Sequence, residues 1–459
     1  MSKNRFGVDT DGRLVVLGGG ESGVGAAILG KVKGMDVFLS DMGEISSKYK
    51  AMLDSYSIPY EEGKHTEDEI LDADVVVKSP GIPPCAPMVA KIFAKIFAKG
   101  IPVVSEIEFA GGFTDSRMIC ITGSNGKTTT TLLTYHVLRE AGIDAGLAGN
   151  VGKSLALQVA VDPHPVYVIE LSSFQLENMY QFKADVAVIM NITPDHMDRY
   201  DHKMENYVAA KFRILQNQTP DDAFIYWQDD SVILDKIAEV NPDGRRLPFG
   251  IERKPESAAW TENEDVCFST TEERWDIPRT GLSLPGRHNL YNSMAAGLIA
   301  SVMKVSPDSI RRSLSDFKAV EHRLEYVATV DGVRYVNDSK ATNVDSTWYA
   351  LESMTTPTVL ILGGKDKGND YSQIEDFVKD KVKTIVCMGL HNEKLLDFFT
   401  GKVPVIADTH SLADALAACR EYAVAGDTVL LSPCCASFDL FKSYEDRGDR
   451  FKAAVKAMV

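Results

Sequence analysis

The residues best suited to chemistry stand in one glycine-rich run, Gly123-Ser124-Asn125-Gly126-Lys127-Thr128-Thr129, between an apolar stretch at 117–122 and a helix-like stretch at 130–140. Glycines let backbone N–H groups approach phosphate oxygens, and a helix that starts there adds partial positive charge. Lys127 would reach the β- and γ-phosphates of a nucleotide, and the Thr128 hydroxyl would face Mg²⁺. Measured from Gly123 the run is shorter than the common G-x-x-x-x-G-K-[ST] pattern, so a variant phosphate loop is expected. A second glycine turn, Gly18-Gly19-Gly20-Glu21-Ser22-Gly23, follows an apolar run, and Asp41 ends the next one. A dinucleotide fingerprint looks similar. An oxidoreductase would leave Lys127 unexplained, however, and a nucleotide-sugar diphosphate on this turn is at least as good a reading.

Polar residues also gather where later apolar runs end. Glu170 closes the run 165–170 and precedes Leu171-Ser172-Ser173-Phe174-Gln175. A carboxylate at a strand's C-terminal edge beside a phosphate loop suits a Mg²⁺ ligand; a helix cap or ion pair is the alternative. Asn191-Ile192-Thr193-Pro194-Asp195-His196-Met197-Asp198-Arg199 follows the run 184–190. His196 could there ligate a metal or orient a carboxylate, while Asp195 and Asp198 could instead stabilise the turn. Lys211 lies in a helical stretch, 207–214, and its spacing alone makes it a surface lysine. Nearer the C-terminus, 322–325 and 337–343 read as polar loops. The segment 363–368, with Lys365 and Lys367, could hold a carboxylate or phosphate or form a solvated turn. A nucleophilic cysteine in Ser432-Pro433-Cys434-Cys435-Ala436-Ser437 would need a basic partner, which nothing in the sequence supplies.

Positioning these residues requires a scaffold, and the apolar runs describe one. Short runs at 14–18, 36–41, 74–78, 117–122, 165–170, 184–190, 358–363, 384–389 and 428–432 are separated by helix-sized intervals, as in parallel βαβ units. Residues 90–97 carry apolar pairs every four positions, predicting a packing helix. Small antiparallel pieces are expected between 240 and 285, and a helix from 286 to 303. Three successive α/β units result, consistent with a 459-residue chain that exceeds the reach of a single core. The net charge of −16 weighs against a nucleic-acid partner. Seven cysteines without regular spacing fit a reduced intracellular protein. The polar N-terminus lacks a signal peptide and no apolar window is long enough for a membrane span, so a cytoplasmic location is expected.

The ordered segments 123–129, 149–152, 170–177, 195–200, 286–289, 337–343 and 432–437 resemble the Mur ligase family over nearly the whole chain. The resemblance implies an α/β protein of three domains. They are an N-terminal Rossmann-like UDP-substrate domain over 1–112, a central P-loop-type ATPase domain over 113–320, and a C-terminal Rossmann-like domain over 321–459 that contacts ATP and D-glutamate. The implied reaction is ATP-dependent ligation of D-glutamate to UDP-N-acetylmuramoyl-L-alanine through an acyl phosphate, in peptidoglycan precursor synthesis, by a monomer. Another amino-acid ligase of the Mur or folylpolyglutamate type, or an inactive nucleotide-binding interaction protein, are the alternatives.

By the same resemblance, Ser22, Gly23 and Asp41 would contact UDP. Gly123, Asn125, Gly126, Lys127, Thr128, Thr129, Asn289, Arg323 and Asp338 would bind ATP. Asn150 and His196 would lie near the sugar–peptide substrate. Thr128, Glu170, His196 and Lys211 would serve two Mg²⁺ ions, for which Mn²⁺ could substitute, with Lys211 carbamylated. Lys127, Glu170, His196 and Lys211 would form the catalytic set. Thr342, Lys367, Ser437 and Tyr444 would meet D-glutamate, with Tyr444 standing where the family usually has phenylalanine. The turn 18–23 also departs from the family's usual apolar and threonine residues.

Overall fold

A computed structural model describes residues 11–82, 87–151, 153–270, 273–318 and 321–458. The expectations for Cys85, Gly152 and the Asp198 side chain fall outside that description. Three sheets organise the chain. The first contains β1 (Arg13–Leu17), β2 (Asp36–Asp41), β3 (Tyr60–Glu62), β4 (Val75–Lys78) and β5 (Val103–Val104). It is parallel throughout, in the order β3-β2-β1-β4-β5. Its central strands are apolar on both faces, as strands covered by helices on each side must be.

The second sheet contains β6 (Arg117–Thr122), β7 (Ala145–Gly149), β8 (Val166–Glu170), β9 (Val186–Ile189), β10 (Ala223–Trp227), β11 (Arg245–Phe249), β12 (Ala259–Glu262), β13 (Asp265–Ser269) and β14 (Arg274–Pro278). Their order is β14-β13-β12-β11-β10-β9-β6-β8-β7. Strands β12, β13 and β14 form an antiparallel meander, as expected within 240–285. The expectation is corrected at β11, which runs parallel to β10 and so extends the main sheet. The third sheet contains β15 (Glu325–Val330), β16 (Val333–Asn337), β17 (Thr358–Leu362), β18 (Val382–Met388), β19 (Val405–Thr409) and β20 (Thr428–Leu431). It is ordered β15-β16-β20-β17-β18-β19, with only β15 antiparallel to its neighbour.

The chain divides into two compact units. One holds the first two sheets, through Leu282 and again over Tyr291–Ser315; the other holds the third sheet with Ser283–Leu290. Within the first unit a single apolar cluster runs from Val16, Val24 and Leu39 to Ala156, Leu171 and Tyr207, so both of its sheets share one core. The helix Glu21–Val32 approaches Ser154 so closely at Gly25 that a Cβ there would overlap the serine hydroxyl. The second unit buries residues on both faces of its sheet, with Leu360 and Ile385 on one side and Val359 and Val386 on the other.

Candidate active site

Apart from 322–325, which leads into β15, the polar loops singled out in the sequence lie at the C-terminal ends of parallel strands, where open α/β sheets place their ligands. The phosphate loop joins β6 to the helix Lys127–Glu140. Gly126 caps that helix with φ +81°, and a Cβ there would lie 2.6 Å from Asn292 Oδ1, so both conformation and space require glycine. Asn191, just beyond β9, pins the loop: its Oδ1 accepts from Asn125 N at 2.8 Å and its Nδ2 donates to Asn125 O at 3.1 Å. Ser124 Oγ donates to Thr193 O at 2.7 Å and lies 3.0 Å from Tyr207 Oη. The loop is therefore held by side chains as well as by its own turn. Asn191, Tyr207 and Asn292 were not among the expected site residues; the polar density of 191–199 was the one available signal for Asn191.

Lys127 Nζ donates to Gly123 O at 2.8 Å and to Ser124 O at 2.7 Å. Lys211 Nζ donates to the same Gly123 carbonyl at 2.7 Å and lies 4.6 Å from the centre of the Tyr207 ring. The reading of Lys211 as a surface lysine is corrected, because it is only 2% exposed. Helical spacing cannot reveal which face a residue turns inward when its neighbours come from β6 and β8. Burial holds the Lys211 amine well below the ordinary lysine range; the Lys127 charge acts in the same direction, and Asp195 and Glu170 oppose it.

Glu170 ends β8 and is 1% exposed. Its Oε1 accepts from Asn150 Nδ2 at 2.8 Å, while its buried Oε2 has no hydrogen-bond partner. The helix-cap alternative does not hold, since Ser172 and Gln175 form the capping box of the next turn. An unsatisfied buried carboxylate oxygen is costly unless something cationic meets it, so Glu170 fits a metal ligand. Thr128 is buried in the first turn after the loop. His196 has a left-handed backbone (φ +54°), its N–H donates to Asp195 Oδ1 at 2.9 Å, and its ring packs edge-on against Phe174. Arg199 stacks over Phe174 and forms a two-pronged pair with Glu177, fixing the segment that carries His196. Among the described residues no group of three or more His, Cys, Asp or Glu is placed to hold a metal.

At the first sheet, Gly18 N donates to Ser40 O and Gly19 N donates to Asp41 Oδ2. Asp41 Oδ1 accepts from Gly43 N at 2.7 Å, so Asp41 ties the glycine turn to the segment after β2. Gly23 faces the Gly18 carbonyl, which a Cβ there would overlap. Ser22 is half-buried beside it.

The second unit carries the remaining expected residues. Asn289 Nδ2 donates to Pro285 O at 2.7 Å. Arg323 and burial together hold the His288 imidazole down to about 4, burial being the larger cause. Asp338 is buried and accepts from Ser432 Oγ at 2.8 Å and Leu324 N at 3.2 Å. Burial pushes its carboxyl up to about 6, with the Arg323 charge the main opposing influence. Thr342 and Lys367 are half-buried, and Ser437 is 2% exposed. A backbone bridge between Lys365 and Ala436 holds the Lys367 loop against the segment ending in Ser437. The Tyr444 carbonyl accepts from Ser339 Oγ at 2.8 Å, and Lys340 Nζ lies 5.0 Å from the Tyr444 ring. The six described cysteines are buried and unbridged. Burial pushes the Cys434 and Cys435 thiols up, Cys435 to about 11, which removes them as nucleophiles.

Known proteins match this chain over nearly its whole length. Residues 14–88 match the MurD N-terminal domain, 121–300 the Mur ligase middle domain, and 322–435 the Mur ligase glutamate ligase domain. A UDP-N-acetylmuramoylalanine–D-glutamate ligase of Bacteroides thetaiotaomicron is 58% identical over 97% of this chain and 100% of its own length. One from Bacteroides fragilis is 57% identical over the same shares. The crystal structure of a UDP-N-acetylmuramate–alanine ligase from Thermotoga maritima superposes with a TM-score of 0.62 at 17% identity, covering 98% of this chain and 100% of that one. The agreement in architecture is one of fold; the near-full-length identity carries the kinship, and this chain belongs to the Mur ligase family.

Proposed function

We propose that this chain ligates D-glutamate to UDP-N-acetylmuramoyl-L-alanine at the expense of ATP, in the synthesis of peptidoglycan precursors. Relatives of that name are 57–58% identical over 97% of the chain. The observation that carries the chemistry is the convergence of Lys127 and Lys211 on Gly123 O, within a unit whose Glu170 has a buried oxygen without a partner. A carboxylate resists amines, so its oxygen first attacks the γ-phosphorus of ATP; an O–P bond forms, the bond to ADP breaks, and an acyl phosphate results. The amine of D-glutamate then attacks the acyl carbon, loses a proton, and inorganic phosphate leaves.

Lys127 neutralises the phosphoryl group in transfer, and the backbone donors of 123–129 orient it. Thr128, Glu170, His196 and a carbamylated Lys211 would hold Mg²⁺, which when bound offsets phosphate charge. An amine must be neutral to add CO₂, and burial shifts the Lys211 amine toward that form. The turn 18–23 with Asp41 takes the UDP moiety, and Asn150 the sugar–peptide part. Asn289, Arg323 and Asp338 contact the nucleotide, while Thr342, Lys367, Ser437 and Tyr444 receive D-glutamate. Domains over 1–112, 113–320 and 321–459 divide these tasks in a cytoplasmic monomer. Among the described residues no helix is long and apolar enough to cross a membrane.

Phosphate release tests this reading. It should require ATP, UDP-N-acetylmuramoyl-L-alanine and D-glutamate together, in a panel of D- and L-amino acids and muramoyl acceptors. Release with a different amino acid would reassign the chain to another ligase of the family. ATP binding with no release under any combination would make it an interaction protein.

A further inference from the structure

Arg447 is 1% exposed, and its contacts are with backbone carbonyls and one hydroxyl. It lies in the helix Tyr444–Lys456. Its Nε donates to Ser339 Oγ at 2.9 Å and its Nη2 to Ser339 O at 2.8 Å. Nη1 and Nη2 both donate to Cys435 O at 3.3 Å. Ser339 Oγ in turn donates to the carbonyl of Tyr444, the first residue of the same helix. One guanidinium thus joins the loop after β16, the loop after β20 and the start of a helix. Three of the residues proposed to receive D-glutamate, Thr342, Ser437 and Tyr444, lie within three positions of these anchoring points.

A buried cation without a bonded carboxylate is expensive to maintain. Packing alone would be served as well by an apolar side chain. The guanidinium adds two things an apolar residue cannot. Its planar fork fixes two loops in one register, and its charge sits behind loops that must receive an amino acid with an anionic side chain.

We propose that Arg447 is a positioning residue for the acceptor: it aligns the 338–342 and 435–437 loops and sets the affinity for D-glutamate without touching the reacting atoms. The inference rests on the assignment of Thr342, Ser437 and Tyr444 to the acceptor. Phosphate release by the full-length chain is to be measured while D-glutamate, ATP and the nucleotide-sugar are varied in turn, for wild type, Arg447→Met, Arg447→Lys and Ser339→Ala. Arg447→Met should raise KM for D-glutamate by on the order of tenfold to a hundredfold, the range for lost charge-assisted hydrogen bonds. KM for the nucleotide-sugar should stay within about twofold, because its sites lie on other segments. Arg447→Lys keeps the charge but cannot span both carbonyls, so its KM for D-glutamate should fall between those of wild type and Arg447→Met.

If Arg447→Met does not fold, the milder Ser339→Ala, which removes one acceptor of the fork, should still raise that KM by about threefold to tenfold. An unchanged KM for D-glutamate, or a loss shared equally by all three substrates, would overturn the inference and leave Arg447 a purely structural residue. Wild type that releases phosphate with D-glutamate keeps the ligase reading intact in either case. Wild type that uses no amino acid would bring down both.

Discussion

Lys127 and Lys211 donate to the same carbonyl, that of Gly123, from different degrees of burial. Lys127 is half-buried at the head of its helix, while Lys211 is 2% exposed and its amine is held well below the usual range. The first is suited to carry charge to a phosphate, the second to be modified as a free base. Lys127→Ala should lower kcat for phosphate release by roughly a thousandfold, the scale of losing a major electrostatic donor; a near-normal rate would remove it from the chemistry. Lys211→Ala should lose activity that added formate or acetate partly restores by occupying the place of the carbamate. A variant as active as wild type would rule out a modified lysine. Lys127 was legible from its glycines and the helix behind them. Lys211 was not, because what makes it special comes from Gly123, Asp195 and Glu170, and only the family resemblance pointed to it.

At the scale of elements, strands buried on both faces were readable as apolar runs, as β1, β6, β8 and β17 show. Strand β7, Ala145–Gly149, escapes such a reading because two of its five residues are glycine, poor strand formers in isolation. Strands β3 and β5, three and two residues long, are too short to show any period. Strand β10 is apolar and aromatic and is followed by Gln228-Asp229-Asp230, yet it was not among the expected runs. The glycine turn after β1 is specified more tightly than its letters suggest. Gly18 has φ +107°, and a Cβ on Gly23 would overlap the Gly18 carbonyl. Gly23→Ala must therefore displace either the turn or the first turn of the helix Glu21–Val32. Local strain of that kind costs about 1–3 kcal/mol. KM for the nucleotide-sugar should rise by about tenfold or more with KM for ATP unchanged. Equal changes in both would show that the turn does not serve the nucleotide-sugar.

Taken as a whole, the molecule is an acidic chain of net charge −16 whose proposed substrates are themselves anions. Three basic side chains, Lys78, Lys211 and Arg447, lie buried in its interior. Burial lowers Lys78 to about 8 and Arg447 to about 10. Buried acids have the converse problem, and Glu106 shows it where the first two sheets share a core. Glu106 is 3% exposed, and its Oε1 accepts from Ser154 Oγ at 2.7 Å and Ala156 N at 2.6 Å. Burial nevertheless pushes its carboxyl up from 4.5 to about 7, with Glu21 adding in the same direction. Between those values the folded chain holds a proton that the unfolded chain has released. Stability from this group is therefore full below about pH 4.5 and declines as pH rises to about 7, by up to roughly 3 kcal/mol. Glu106→Gln cannot ionise, so its thermal midpoint should fall less than that of wild type between pH 5 and pH 8. The two pH profiles should diverge between about pH 5 and pH 7, where folded Glu106 keeps a proton that the unfolded chain has released. Parallel profiles across that range would mean that Glu106 is already charged in the fold and that its hydrogen bonds to Ser154 and Ala156 compensate its burial.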